Sequence, residues 1–205
     1  DISDPAPGVM HGVSCEACHK VANVDVDRIN YPGIFPGAVT FTRPFDQQVQ
    51  YGVLGDVSYD LTGIMQASYQ PGLVAEVCGA CHQDKNDPEG THEFDGVTSE
   101  PTYIEWAESA YADPQSPRFA TCVDCHMPIA ADNEVCSVVF PPPPRDPQRV
   151  RSHRILGTTP QYLQNAVAMQ VETRVAGDEL RVGVELANTG AGHHVPTGVT
   201  IRNMI

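Results

Sequence analysis

A five-residue unit that occurs three times constrains this chain more than any other feature: "CEACH" at 15–19, "CGACH" at 78–82 and "CVDCH" at 122–126. Six of the seven cysteines lie within these copies, and a histidine follows the second cysteine each time. Positions three apart meet on one side of a helical turn. Each pair, Cys15/Cys18, Cys78/Cys81 and Cys122/Cys125, can therefore grip one flat ligand at two points while His19, His82 or His126 faces its centre. C-x-x-C-H is the attachment signature of c-type haem: the thiols bond two vinyl-derived carbons of the porphyrin and the imidazole binds iron. Structural zinc needs sets of four ligands, and units separated by 63 and 44 residues do not pair into such sets. An iron–sulfur cluster expects four cysteines at its own spacings, and a disulfide framework gives no reason for the recurring histidine. The expectation is three covalently attached haem c groups.

Covalent haem attachment takes place outside the cytoplasm, so the expected location is periplasmic or extracellular. The opening "DISDPAPG" lacks the charged-then-apolar order of a signal peptide, as in a processed chain. No apolar run approaches the roughly 18 residues of a membrane helix. With 18 prolines and 17 glycines in 205 residues, long helices and strands are disfavoured. Residues 1–160 accordingly read as a multihaem cytochrome domain, mainly irregular with short α-helices around three haems, which add the core that the side chains alone do not supply. Acidic residues outnumber basic ones by 26 to 12, which argues against nucleic acid or anionic membrane as partners and for a basic redox protein.

Five histidines remain for the opposite faces of the irons: His11, His92, His153, His193 and His194. A second histidine makes a closed, low-potential carrier, methionine raises the potential, and a vacant position exposes iron to substrate. Five candidates for three positions favour bis-histidine ligation. His11 lies four residues before Cys15, too near to cover its own haem but placed to reach a neighbouring one. His153, in "RSHRILG", reads as a ligand, as a surface residue pairing with acids, or as part of an arginine collar on haem propionates. His193 and His194 sit in the glycine-rich "GAGHHVPTG", where backbone can approach a flat cofactor; His193 is favoured as the ligand, with His194 facing out. His92, in "EGTHEFDG", reads equally as an exposed turn residue or a ligand. Met127 follows a proximal histidine and cannot turn to the opposite face, and Met10 and Met65 are weak candidates. Cys136 is left over: a buried thiol, with an intersubunit disulfide as the functional alternative.

Residues 36–60 alternate as a short hairpin or extended pair. A helix is expected from Thr102 to Tyr111, with Pro101 at its start, an apolar stripe of Ile104, Ala107 and Tyr111, and Trp106 on a porphyrin edge or in the core. The run "FPPPPRDP" at 140–147 reads as a stiff spacer. The pattern differs over residues 161–205, where "AVAMQVETRV" and "LRVGVELAN" alternate with period two around an "AGDE" turn, and "VTIRNMI" reads as a third strand. An apolar face on so few strands needs a cover, so this antiparallel segment is expected to be part of a larger or intersubunit β-sandwich.

The stretches "GVSCEACH", "RPFDQQVQYGVLGDV", "PTYIEWAESAYAD" with "TCVDCHMP", "SHRILG" and "NTGAGHHVPTG" together resemble the multihaem c-type cytochromes related to the tetrahaem cytochrome of ammonia oxidisers. The resemblance covers most of the chain, and "TxxEWxxS…CxxCHMP" and "AGHxxPTG" are its most specific parts. It implies closely packed bis-histidine haems passing electrons along a chain, with His11, His153 and His193 at distal-ligand positions. Two departures stand out: Gln66 lies near the place where a histidine is expected before the second motif, and there are three motifs rather than four or more. The resulting expectation is an electron carrier rather than an enzyme. The alternatives are a redox enzyme with one open haem acting on a small nitrogen or sulfur compound, and a subunit of a larger cytochrome complex or filament.

Overall fold

The computed structural model describes residues 15–25, 27, 38–41, 49–52, 66–69, 74–86, 88–91, 96–131, 146–157 and 159–199. His11, His92, Cys136, Met10, Met65, the proline run at 140–145 and all but Val199 of the expected third strand lie outside the described residues.

Two of the repeated motifs are single helical turns in their own right: α1 (Cys15–His19) and, later in the chain, α4 (Cys122–His126). The second motif instead closes the end of α2 (Val74–Gly79), whose last turn continues as the N–H groups of Cys81 and His82 donate to the Cys78 carbonyl at 3.0 and 2.9 Å. α4 is capped at its start by Thr121, whose side chain accepts from the Asp124 N–H while the Asp124 carboxylate accepts from the Thr121 N–H.

Four two-stranded sheets accompany the helices among the described residues. β1 (Val21–Val24) runs antiparallel to β2 (Val39–Phe41), and β3 (Val49–Gly52) runs parallel to β4 (Gln66–Tyr69). β5 (Asp84–Lys85) is antiparallel to β6 (Thr98–Glu100). Strands do occur within 36–60, but among the described residues they do not form the expected hairpin or extended pair: β2 pairs with β1 and β3 with β4 instead of with each other. Alternation marks a residue run as extended and says nothing of its partner.

The helix expected over 102–111 is α3 (Thr102–Ala107), ending at Glu108. Ser109 explains the early stop: its hydroxyl donates to the Trp106 carbonyl at 2.7 Å and accepts from the Tyr111 N–H at 3.1 Å, a local arrangement that replaces the next helical bonds. Tyr111 thereby leaves the expected stripe. Pro101 offers no side-chain cap at the other end. The free N–H groups there are met by the tail of the second motif: Tyr103 donates to the His82 carbonyl at 2.9 Å and Ile104 to Oε1 of Gln83 at 3.0 Å. Gln83 is 1% exposed, a buried amide held in place by the helix end it satisfies.

The core is correspondingly small. Val21, Val24 and Ala80 are buried, with Val39, Val77 and Tyr103 packed against them. Gly79, a variable position of its motif, lies under Tyr103 so closely that an added Cβ would stand 2.3 Å from a ring carbon. Gly79→Ala must displace that ring, and chemical denaturation should show a loss of about 1–3 kcal/mol, the usual cost of overpacking.

The C-terminal hairpin forms as its alternation predicts. α5 (Pro160–Ala166) leads directly into β7 (Val167–Ala176), which pairs with β8 (Glu179–Asn188) in a register that leaves Gly177 and Asp178 as the turn. Gly177 adopts φ 65°, the left-handed region that glycine enters without a Cβ clash. The cross-strand pairs Met169/Leu186, Val171/Val184 and Val175/Leu180 line one face, and all six side chains are exposed. Among the described residues the hairpin is a two-stranded ribbon with no second layer, and no helix is long and apolar enough to cross a membrane.

Candidate haem-binding sites

The imidazoles that end the three motifs share one arrangement. Nδ1 of His19 lies 2.6 Å from the Tyr51 carbonyl oxygen, Nδ1 of His126 meets the Leu156 carbonyl, and Nδ1 of His82 lies 2.8 Å from Oε1 of Glu100. A carbonyl or carboxylate oxygen accepts, so in each case Nδ1 carries the proton and donates. Nε2 is left with a lone pair directed away from the supporting backbone, as a metal-binding histidine requires.

Two of these rings are faced by a second imidazole. The ring centroids of His19 and His153 are 6.1 Å apart with an interplanar angle of 29°, and those of His126 and His193 are 6.1 Å apart at 11°. Planes in van der Waals contact would be about 3.5–4 Å apart. Two imidazoles bound to opposite faces of one metal, with metal–nitrogen bonds of about 2 Å, have centroids about 6 Å apart. Nδ1 of His193 donates to the His194 carbonyl at 2.8 Å, which leaves Nε2 of His193 as the available ligand atom too. The residues present therefore fit iron held between two histidines at each of these places. Among the described residues no imidazole is placed opposite His82, and the candidates His11 and His92 lie outside them.

The segment 146–157 serves two sites at once. It is strapped to the third motif and the segment leaving it by Ala130 N–H to Val150 O at 2.9 Å, Ser152 N–H to Pro128 O at 2.8 Å, and Arg151 on Asp124 at 2.7 Å. Leu156 then meets the backbone and ring of His126, while His153, three residues earlier, faces His19. Between them Ile155 takes φ 44°, unusual for a β-branched residue and needed to turn the two neighbours to different sites.

The loop carrying His193 is held by Glu105, the acidic position of the "TxxEWxxS" stretch, to which the sequence alone assigns no role. This carboxylate is 11% exposed and accepts from the His194 N–H at 3.0 Å, the Thr197 hydroxyl at 2.7 Å and Nδ1 of His194 at 2.9 Å. Thr102 and Thr197 hydroxyls meet at 3.0 Å, and Gly192 packs on Tyr111 and Trp106, where a Cβ would approach to 3.0–3.2 Å. His194 is thus turned outward onto Glu105, and His193 inward. Trp106 donates through Nε1 to the Ala120 carbonyl at 2.9 Å, next to the third motif.

None of the six motif cysteines is joined in a disulfide. Cys78 donates to Cys122, which pushes the Cys78 thiol up and holds the Cys122 thiol down. Burial raises Cys18, Cys81 and Cys125, with neighbouring charge adding to each: Cys15 on Cys18, Cys18 and then Glu100 on Cys81, Asp124 and then Cys122 on Cys125. Cys78 also feels Cys18. The second motif is therefore near both of the others, and among the described residues no three His, Cys, Asp or Glu side chains converge as an ordinary metal-ion site.

No protein-family model matches the chain, and no curated protein matches it. The crystal structure of a penta-heme cytochrome c552 from Thermochromatium tepidum superposes on 96% of this chain with a TM-score of 0.58 at 18% identity. The match covers 48% of that protein, so the chain spans about half its length. Across nearly all of its length, this chain has a fold similar to that of a multihaem c-type cytochrome.

Proposed function

We propose that this chain transfers electrons through three covalently attached c-type haems, outside the cytoplasm. Two ring pairs carry this reading: His19/His153 and His126/His193, each with centroids at 6.1 Å. Bound haem c supplies one-electron Fe(III)/Fe(II) chemistry. The six motif cysteines anchor the porphyrins and His19, His82 and His126 bind from the proximal side. His153 and His193 would hold the metal from the other side at the first and third sites, and the resemblance assigns His11 as a further distal ligand. With both faces occupied, electrons enter and leave without ligand exchange, and small molecules are kept off the metal.

The hydrogen bond between Cys78 and Cys122, and the electrostatic influence of Cys18 on Cys78 and Cys81, support porphyrin edges close enough for transfer within the chain. The likeness in fold to a penta-heme cytochrome supports the same class of cofactor, and the resemblance to the tetrahaem family supports the bis-histidine pattern. The excess of 26 acidic over 12 basic residues supports steering of a basic redox partner, weakened by added salt. The apolar face of the β7–β8 ribbon supports a place in a larger cytochrome assembly.

Intact-mass measurement of the secreted protein, from a host that attaches haem c, is expected to give the polypeptide plus three haems, with a low-spin spectrum unchanged by cyanide. A haem-free polypeptide contradicts the reading. A high-spin component that binds cyanide would keep the haems and replace the carrier with the open-site enzyme.

A further inference from the structure

The three proximal histidines differ in one respect: what accepts the Nδ1 proton. At His19 and His126 it is a backbone carbonyl; at His82 it is the carboxylate of Glu100. Strand pairing brings this contact about. Asp84, two residues after His82, pairs with Glu100 across the β5–β6 ladder, which returns the carboxylate to the imidazole at 2.8 Å. Glu100 is only 15% exposed, whereas His82 is 60% exposed, and Gly198 of the His193 loop lies near Glu100. Partial removal from water strengthens the interaction.

We propose that Glu100 makes the iron bound by His82 the lowest in potential of the three. This rests on the reading of the chain as a trihaem protein. A carboxylate draws the Nδ1 proton more strongly than a carbonyl, so the imidazole gains imidazolate character and becomes a stronger donor at Nε2. Stronger donation, together with the nearby negative charge, stabilises Fe(III) over Fe(II). The two carbonyl-backed irons lack this bias.

The test is a spectroelectrochemical titration of the fully loaded Glu100→Gln protein, in which the side chain keeps its shape and an accepting oxygen but loses its charge. At the potential that half-reduces the lowest centre of the unaltered protein, the reduced-to-oxidised ratio of that centre is expected to rise about tenfold, which for one electron is about 59 mV. The other two centres stay in place and all three irons remain low-spin. A purely structural Glu100 would disturb spin state or haem retention and leave no such selective shift. Near-infrared magnetic circular dichroism of the unaltered ferric protein supplies an independent reading: one haem should show a charge-transfer band displaced toward imidazolate ligation. Three unmoved potentials, or three coincident bands, overturn the proposal. A polypeptide without three haems instead overturns the trihaem reading on which it stands.

Discussion

Replacing His193 with alanine is expected to convert one of three low-spin haems to a high-spin, five-coordinate centre that takes up one equivalent of cyanide or carbon monoxide. The reason lies in the geometry of the ring pair. His193 stands 6.1 Å from His126, with the two rings within 11° of parallel and the Nδ1 atoms of both satisfied by carbonyl oxygens. Alanine leaves no second imidazole at that distance, since His194 is held outward by Glu105, and the ring that remains near His126 is the Tyr162 phenol at 5.7 Å, tilted by 39°. Loss of an imidazole donor should also raise the potential of this centre by on the order of 0.1 V, a modest part of the roughly 0.8 V that axial ligands span. Magnetic circular dichroism counts the high-spin irons. An unchanged, wholly low-spin spectrum would mean that His193 is not the ligand.

Glu105→Ala should produce a weaker form of the same spectrum through a residue that never touches the haem. Glu105 gathers three donors from the 193–198 loop at 2.7–3.0 Å and is nearly buried, so its removal strands those donors and frees the loop from α3. Hydrogen bonds to charged groups are worth about 1.5–3 kcal/mol each and do not simply add, so a loss of about 2–4 kcal/mol in loop docking is expected. Over that range the His193 ligand detaches for part of the population. Glu105→Gln, which retains an acceptor, should fall between the parent and alanine. In a double-mutant cycle with His193→Ala the spectral effects should not add, because both act on one bond. A Glu105→Ala protein with an entirely low-spin spectrum and unaltered stability would remove Glu105 from the positioning of His193.

Covalent and local patterns are the most legible in the sequence. C-x-x-C-H fits within one turn of helix, so its chemistry can be read without knowing the rest of the chain, and the β7–β8 ribbon follows from period-two alternation around a Gly-Asp turn. His153 and His193 stand out as candidates by number, context and resemblance, and the structure brings each to a motif histidine. Their pairing is not legible, because His153 faces the first motif while its neighbour Leu156 serves the third. Glu100 and Glu105 escape notice for the same reason: their partners lie 18 and 89 or more residues away. A signal does exist, since the two most specific stretches of the resemblance, "TYIEWAES" and "AGHHVPTG", meet through Glu105, Thr102 and Thr197. The strand partners of 39–41 and 49–52 are likewise hidden, as short extended runs carry no record of which segment completes their hydrogen bonds.

The most direct measurement is a crystal structure of the loaded protein phased at the iron absorption edge. Iron is predicted midway between Nε2 of His19 and Nε2 of His153, and again between Nε2 of His126 and Nε2 of His193, each in a porphyrin bonded to the adjoining cysteine pair. Iron found with any other residue in place of His153 or His193, or no iron between these rings, would contradict the account.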